Sequence, residues 1–221
     1  MDKRSPKSLS IPYIPELDSM SPDDIIRTLD DRGARRPIDI VNWPDQYAYR
    51  PLTVFAVAHS GTAIYIDFFV RCNYLRAVNF TNNSPVHQDS CVEFFVQPHL
   101  DDPHYYNFEF NCIGTIDAAR RLDRHNSERL TDEQLDTVRR TPSCGTRPFE
   151  EVEGMFTWNL LATIPLSLIG ITYEGKPVKM RGNFYKCADM VTVPHFLSWS
   201  PVDTPQPDFH RPEFFGDLTL E

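Results

Sequence analysis

From Thr53 onward the apolar residues fall on every second position, and this period of two decides what the chain can become. Residues two apart share a face of a β-strand, whereas a helix repeats every 3.6 residues. Thr53–His59 and Ala63–Val70 alternate in this way around Ser60-Gly61-Thr62, a hairpin turn. Ser90–Gln97, His104–Cys112, Met155–Ile164, Val178–Cys187, His195–Trp199 and Gly216–Glu221 read as further strands, and Thr115–Ala119 continues the sheet after a turn at Gly114. Leu9–Glu16 reads as a proline-interrupted edge strand and Ile38–Trp43 as another extended piece. Helices are few. Ser21-Pro22-Asp23-Asp24 supplies an N-cap, a proline at the first position and acids in the first turn of a helix to about Asp31. Ser127–Val138 reads as a surface helix with a capping box at Thr131–Gln134, and Leu166–Gly170 as one turn. Strands that follow one another without βαβ alternation predict an all-β, antiparallel β-sandwich with one or two short surface helices. Residues 1–37 are expected to be an N-terminal extension packed on the sandwich, with 38–221 forming a single domain.

One segment stands outside the alternation. His195–Gly216, HFLSWSPVDTPQPDFHRPEFFG, carries four prolines, four phenylalanines and Trp199. Proline fixes φ and lacks a donor, so the part after Trp199 is neither an interior helix nor a central strand. It reads as a long loop locked by aromatic packing, and such loops commonly bind ligands. The second long loop, Arg71–Gln88, carries Tyr74 and Phe80.

Charge and cysteine content narrow the function. The net charge of −9 is spread along the chain and disfavours a nucleic-acid partner. The RRLDR run at Arg120–Arg124 reads as a solvated segment. No apolar run approaches the ~20 residues of a membrane helix, so no membrane partner is expected. The first residues lack the apolar core of a signal peptide. The chain is therefore expected in the cytoplasm as it stands, and in the periplasm or outside the cell if a leader has been removed. The five cysteines are widely spaced without CxxC or CxxH, which argues against a zinc site or a disulfide scaffold. Cys91 and Cys112 read as small core residues.

The strand faces suggest chemistry. In His104–Cys112, His104, Tyr106, Phe108, Phe110 and Cys112 form a core face, and Tyr105, Asn107, Glu109 and Asn111 form the other. Two amides and a carboxylate on a rigid platform suit a ligand rich in hydroxyls. Arg181 and Asn183 on Val178–Cys187 are expected to face the same cleft. Glu93 lies on a strand among apolar residues and needs a partner there, an Arg, a Lys or a metal. Asp89, just before that strand, would join it in an oxygen-rich calcium site. Trp199 offers a flat apolar surface for a pyranose ring, while Trp43 and Trp158 read as core.

The order Trp43, VFAVAHSGTAIYIDFFV, DSCVEFFVQP, YYNFEFNCIG, NFYKC, LSWSP and FHRPEFFG resembles the family 9 carbohydrate-binding modules, in particular the stand-alone family-9-like proteins of gut Bacteroidetes. The resemblance runs from about Ile38 to Leu220. It implies a β-sandwich related to the DOMON group and a role in polysaccharide utilisation. Family members accompany xylanases, which implies a glycoside hydrolase as partner. They bind glycan chain ends between two tryptophans and carry structural calcium. By position, Trp199 corresponds to one clamp aromatic, Asn111 to an asparagine after the acidic stretch, and Asp89 and Glu93 to that stretch. The loop before Asp89 lacks a tryptophan, so the second wall is absent or comes from Tyr74 or Phe80. Glu109 stands where a basic residue is expected.

The residues therefore predict non-catalytic carbohydrate binding through Trp199, Asn111, Glu109, Asn107, Asn183, Arg181, Tyr74 and Phe80, with Asp89 and Glu93 as metal ligands. Two other readings remain. Glu93 and Glu109 would serve as the carboxylate pair of a glycoside hydrolase. Met190 and His195 would serve as axial ligands of a haem, without a flanking feature to support them. Asp208 and His210 lack a nucleophile, and His210 reads as a packed loop residue.

Overall fold

A computed structural model describes residues 5–221. In chain order the elements are β1 (Ser8–Ile11), α1 (Pro22–Arg32), β2 (Ala34–Pro37), β3 (Ile40–Val41), β4 (Leu52–His59), β5 (Ala63–Ala77), β6 (Cys91–Gln97), β7 (Tyr105–Asn111), β8 (Ile116–Arg121), β9 (Ser127–Arg129), α2 (Asp132–Thr137), β10 (Arg139–Pro142), β11 (Phe149–Pro165), β12 (Val178–Ala188), β13 (His195–Ser198) and β14 (Gly216–Leu220). They form two sheets. The larger runs β1-β14-β12-β6-β7-β8-β9, with β13 also on β12 and β3 on β13; the smaller runs β10-β11-β5-β4-β2. All pairings are antiparallel except β1 with β14. The antiparallel β-sandwich is as the alternation requires.

The sheets face each other across one apolar core. Phe55, Val57, Ile66, Phe68, Trp158 and Leu160 come from the smaller sheet; Val92, Phe94, Phe108, Phe110, Phe184 and Leu218 come from the larger. Phe184 is the centre of an aromatic stack, with its centroid 3.7 Å from Phe55 and 4.8 Å from Phe94. Burial on this scale, at ~25 cal/mol per Å² of apolar surface, is the main force holding the sheets together.

Several elements differ from expectation. The hairpin strand does not end at Val70 but continues to Ala77, so Tyr74 is on β5 and not in a loop. Its partner β11 reaches Phe149 and keeps pace through two register shifts. Only Asp132–Thr137 of the predicted second helix is helical; Ser127–Arg129 pairs with β8 instead, and the capping box at Thr131–Gln134 forms at the later start. The segment before Ile38 does more than pack on the outside, because β1 adds an edge strand to the larger sheet and β2 to the smaller. Ser21 caps α1 as its sequence requires, accepting from the Asp24 amide. Among the described residues no helix is long and apolar enough to cross a membrane.

One topological detail positions the site. β13 pairs with the Tyr185–Ala188 end of β12, and β14 pairs with its Val178–Gly182 end. Both strands occupy the same edge of β12, on the side away from β6. The chain joining them must leave the sheet and return, and this excursion is the proline-rich loop. It lies on the outer face of the larger sheet, where Phe209 and Phe215 pack with Trp43, Phe95, Tyr105 and Tyr185 in a second apolar cluster.

Candidate functional site

The outward residues of the larger sheet are set by strand parity. Val92, Phe94 and Val96 point into the main core, so Cys91, Glu93 and Phe95 point out. The same logic turns Asn107 and Glu109 outward on β7, and Asp117 and Arg121 on β8. Register then aligns them. Tyr185 is opposite Glu93, Glu93 opposite Glu109, and Glu109 opposite Asp117, which makes a row of three carboxylates across three strands. Phe95, Asn107, Ala119 and Arg129 form the next row.

This row is the floor of a cavity of about 470 Å³. Glu93, Glu109, Asp117 and Arg121 are each at most 9% exposed. Arg124, Arg129 and His87 add basic groups to the walls, and Tyr47, Phe196 and Phe209 add aromatic ones. Phe196 and Tyr47 meet edge to face at 4.8 Å. The roof is the proline-rich loop through Pro207, Asp208, Phe209 and His210.

The polar groups are held in chains. Arg121 Nε donates to Asn107 Oδ1 at 2.6 Å, and Asn107 Nδ2 donates to Glu109 Oε1 at 3.0 Å. Arg121 also donates to the Arg124 carbonyl at 3.1 Å, and Arg124 to Asp208 of the roof at 3.1 Å. His210 Nδ1 lies 3.0 Å from the Tyr105 hydroxyl, and its Nε2 lies 4.0 Å from Glu109 Oε1. Cys187 Sγ donates to Glu93 Oε1 at 2.9 Å. Asp117 Oδ1 is buried without a partner.

Burial sets the charges. It pushes Glu93 up to about 8, and it pushes Glu109 well above the carboxylate range, helped by repulsion from Glu93 and Asp117. Asp117 is raised for the same first reason, against Arg129 and Arg121. His210 is pushed down to about 3 by burial and then by Arg121 and Arg124, so its ring is neutral. The hydrogen bond from His87 Nδ1 to Asp189 raises His87. The cavity thus presents carboxyls shifted toward their protonated form, a guanidinium and a neutral imidazole. Such a set donates and accepts hydrogen bonds at once, which is what a polyhydroxylated ligand needs.

Of the predicted site residues, Glu93 and Glu109 line the cavity, and Asn107 lies beneath it bonding Glu109 and Arg121. The others are elsewhere. Trp199 is 1% exposed in the main core, edge-on to Phe184 at 5.8 Å and Phe55 at 6.3 Å, so it offers no surface for a ring to stack on. Parity explains this, because Trp199 continues the inward face of Leu197 while Phe196 looks outward to the cavity. Asn183 clamps the loop, bonding both the Ser200 amide and carbonyl. Asn111 ties down the Asn79 carbonyl and the Thr115 amide. Arg181 donates to the Phe215 and Glu213 carbonyls. Tyr74 packs on Tyr49, and Phe80 is exposed away from the cavity.

Asp89 and Glu93 are held by different partners. Asp89 is buried among donors, the Arg76 guanidinium, the Val78 and Asn79 amides and the Asn111 side chain. Calcium needs oxygen acceptors, and these neighbours are their opposite. Conversely, Asp117, Arg121, Arg124 and His210 line the cavity: Arg120–Arg124 is not simply a solvated segment, since Arg121 is buried, and His210 is packed as expected but faces the cavity. Parity on β8, where Ile116 and Ala118 are core, carries the signal for Asp117 and Arg121.

A β-sandwich with a polar cavity on one outer face, roofed by a proline-rich loop, is the construction of a ligand-binding module. The chain belongs to carbohydrate-binding family 9, whose profile matches residues 25–220. A protein from Bacteroides uniformis ATCC 8492, provisionally described as carbohydrate-binding, is 38% identical and superposes with a TM-score of 0.92 over 98% of this chain and 100% of that one. A family 9 carbohydrate-binding module from Caldicellulosiruptor kristjanssonii in complex with glucose is 16% identical, with a TM-score of 0.56 over 97% of this chain and 96% of that one. A family 9 module from the same organism in complex with cellotriose is 14% identical, with a TM-score of 0.54 over 97% and 94%. These last two share the fold. No curated protein matches this chain.

Proposed function

We propose that the protein binds carbohydrate without transforming it, and that the cavity over the Glu93–Glu109–Asp117 row is where it does so. The observation that carries this reading is the buried hydrogen-bonding floor enclosed by aromatic side chains. A cavity of about 470 Å³ lies within the ~300–1,000 Å³ range of small-ligand sites. It suits a short oligosaccharide or the end of a glycan chain. Family membership supports the ligand class. The roof and floor are both tied down, so little ordering is required on binding. Glucose, cellotriose and xylo-oligosaccharides are the first ligands to test.

The test is a glycan array on the wild-type protein, followed by calorimetry with the best ligand. Arg121→Met removes the buried guanidinium, and Glu109→Ala removes a carboxyl that lines the cavity. Each is expected to weaken binding roughly ten- to a hundredfold, as loss of a ~1.5–3 kcal/mol hydrogen bond implies. Reducing sugar should not be released. An array with no hit, or variants that bind as well as wild type, would overturn the assignment of the cavity. Sugar release that depends on Glu93 and Glu109 would transfer it to a hydrolase.

A further inference from the structure

At one end of the carboxylate row, the next row up the sheet brings together two thiols. Cys91 on β6 and Cys187 on β12 are Cα partners across an antiparallel pair, and both side chains point outward with Glu93. Cys187 Sγ lies 2.9 Å and Cys91 Sγ 3.9 Å from the same carboxylate oxygen, Glu93 Oε1. The three ligand atoms all lie within 4.8 Å of one another. Both cysteines are free thiols. A tetrahedral zinc ion holds sulfur at ~2.3 Å and carboxylate oxygen at ~2.0–2.2 Å, which places its ligand atoms about this far apart. Glu93 and Cys187 also line the cavity, whereas Cys91 lies behind them at 0% exposure.

We propose that Cys91, Cys187 and Glu93 form a site for a thiophilic divalent cation of the zinc type, with its fourth position open to the cavity. The donor set selects the metal class. Two sulfurs and one oxygen suit zinc, while calcium and magnesium require oxygen ligands throughout. Binding transfers the two thiol protons, and that of Glu93 where it is present, to solvent, leaving two thiolates and a carboxylate on the cation. The thiol-to-carboxylate hydrogen bond then gives way to two bonds to the metal. Water fills the fourth position in the absence of ligand. The residue spacing hid this arrangement, because the two cysteines are far apart in sequence and meet only through strand pairing.

The test uses the reduced, chelator-treated 221-residue chain without sugar, so its result is independent of the carbohydrate reading. Zinc is titrated against a competing chromophoric chelator, and cobalt is added as a spectroscopic probe. One equivalent of zinc should bind. The cobalt form should show thiolate-to-metal charge transfer in the near ultraviolet and the intense visible bands of a tetrahedral ion. Cys91→Ser and Cys187→Ser should each lose stoichiometric binding, Glu93→Gln should weaken it, and Cys72→Ser should bind as wild type does. Circular dichroism establishes that each variant is folded. Should both cysteine variants unfold, the wild-type cobalt spectrum decides alone, and absence of thiolate charge transfer overturns the proposal. It is equally overturned by binding that survives both cysteine substitutions, or by a Cys91–Cys187 disulfide forming in place of metal uptake.

Discussion

Replacing Trp199 separates a structural indole from a ligand-stacking one. Its ring is sealed in the main core against Phe55 and Phe184, and Gly216 lies so close that a Cβ there would stand 2.7 Å from Trp199 Cζ3. A buried aromatic of this size removes ~150–250 Å² from water, which at ~25 cal/mol per Å² is about 4–6 kcal/mol, an upper figure because unfolded chains are already partly compact. Measured truncations of buried Phe or Trp to Ala cost ~3–5 kcal/mol, and the two agree. Trp199→Ala should therefore lower the unfolding free energy by that amount, read as a lower guanidinium midpoint with little change in slope, and Trp199→Phe should cost less. Neither should change sugar affinity under conditions where the protein is folded. Trp43 is the contrasting indole. It donates to the Thr204 carbonyl at 2.7 Å and packs on Phe196 and Phe209, which wall the cavity. Sugar-induced fluorescence change should thus vanish in Trp43→Phe and persist in Trp199→Phe. A Trp199→Phe protein of near wild-type stability that no longer binds sugar would refute the argument.

Asp67 sets a pH dependence unconnected with the site. Burial pushes it up to about 7, one oxygen accepts from Asn159 at 3.0 Å and the other has no partner. The native carboxyl keeps its proton up to about 7 while the unfolded one releases it near 3.8. Its stabilising contribution is thus complete below about pH 4 and is lost as pH rises through 7, on the order of 4 kcal/mol at the limit. Asp67→Asn should flatten the decline between about pH 4 and 7 in urea unfolding, and a difference from wild type that does not vary with pH would contradict this. Asn183→Ala leaves the buried Ser200 amide and carbonyl unpaired and should cost ~1–3 kcal/mol, while loosening the roof enough to weaken sugar binding in calorimetry. Gly216→Ala should cost ~1–3 kcal/mol in denaturant unfolding, because its Cβ would meet the Lys7 carbonyl oxygen at 2.6 Å as well as the indole.

Face membership was legible from sequence because it depends only on counting by two along one strand. That count put Asn107 and Glu109 opposite Phe108 and Phe110, and the structure keeps them there. It also held the position of Trp199, two residues beyond Leu197 on the inward face, but the proline-rich context of the indole suggested exposure instead. Boundaries were less legible. Nothing local distinguishes Arg71–Ala77 from a loop, since those residues become strand through pairing with the distant β11. Ser127–Arg129 is drawn from helix into sheet by β8 in the same way.

Neighbour relations across strands are a different kind of information, and the site is made of them. Glu93, Glu109 and Asp117 become one row only when β6, β7 and β8 pair in a particular register. A one-residue slip would turn the whole set of one strand into the core. The apolar residues between them, Val92, Phe94, Phe108, Phe110, Ile116 and Ala118, forbid that slip, because the carboxylates would then point into the apolar core between the sheets. The hydrophobic pattern therefore fixes the polar site indirectly. It pins the register, and the register brings three acids together at a cost in desolvation that raises all three toward their protonated forms and that no local preference would choose. Arg121 reaches Glu109 from β8 through Asn107, and the proline-rich loop roofs the cavity above them. Core packing is thus what holds an electrostatically unfavourable surface in place for a ligand to satisfy.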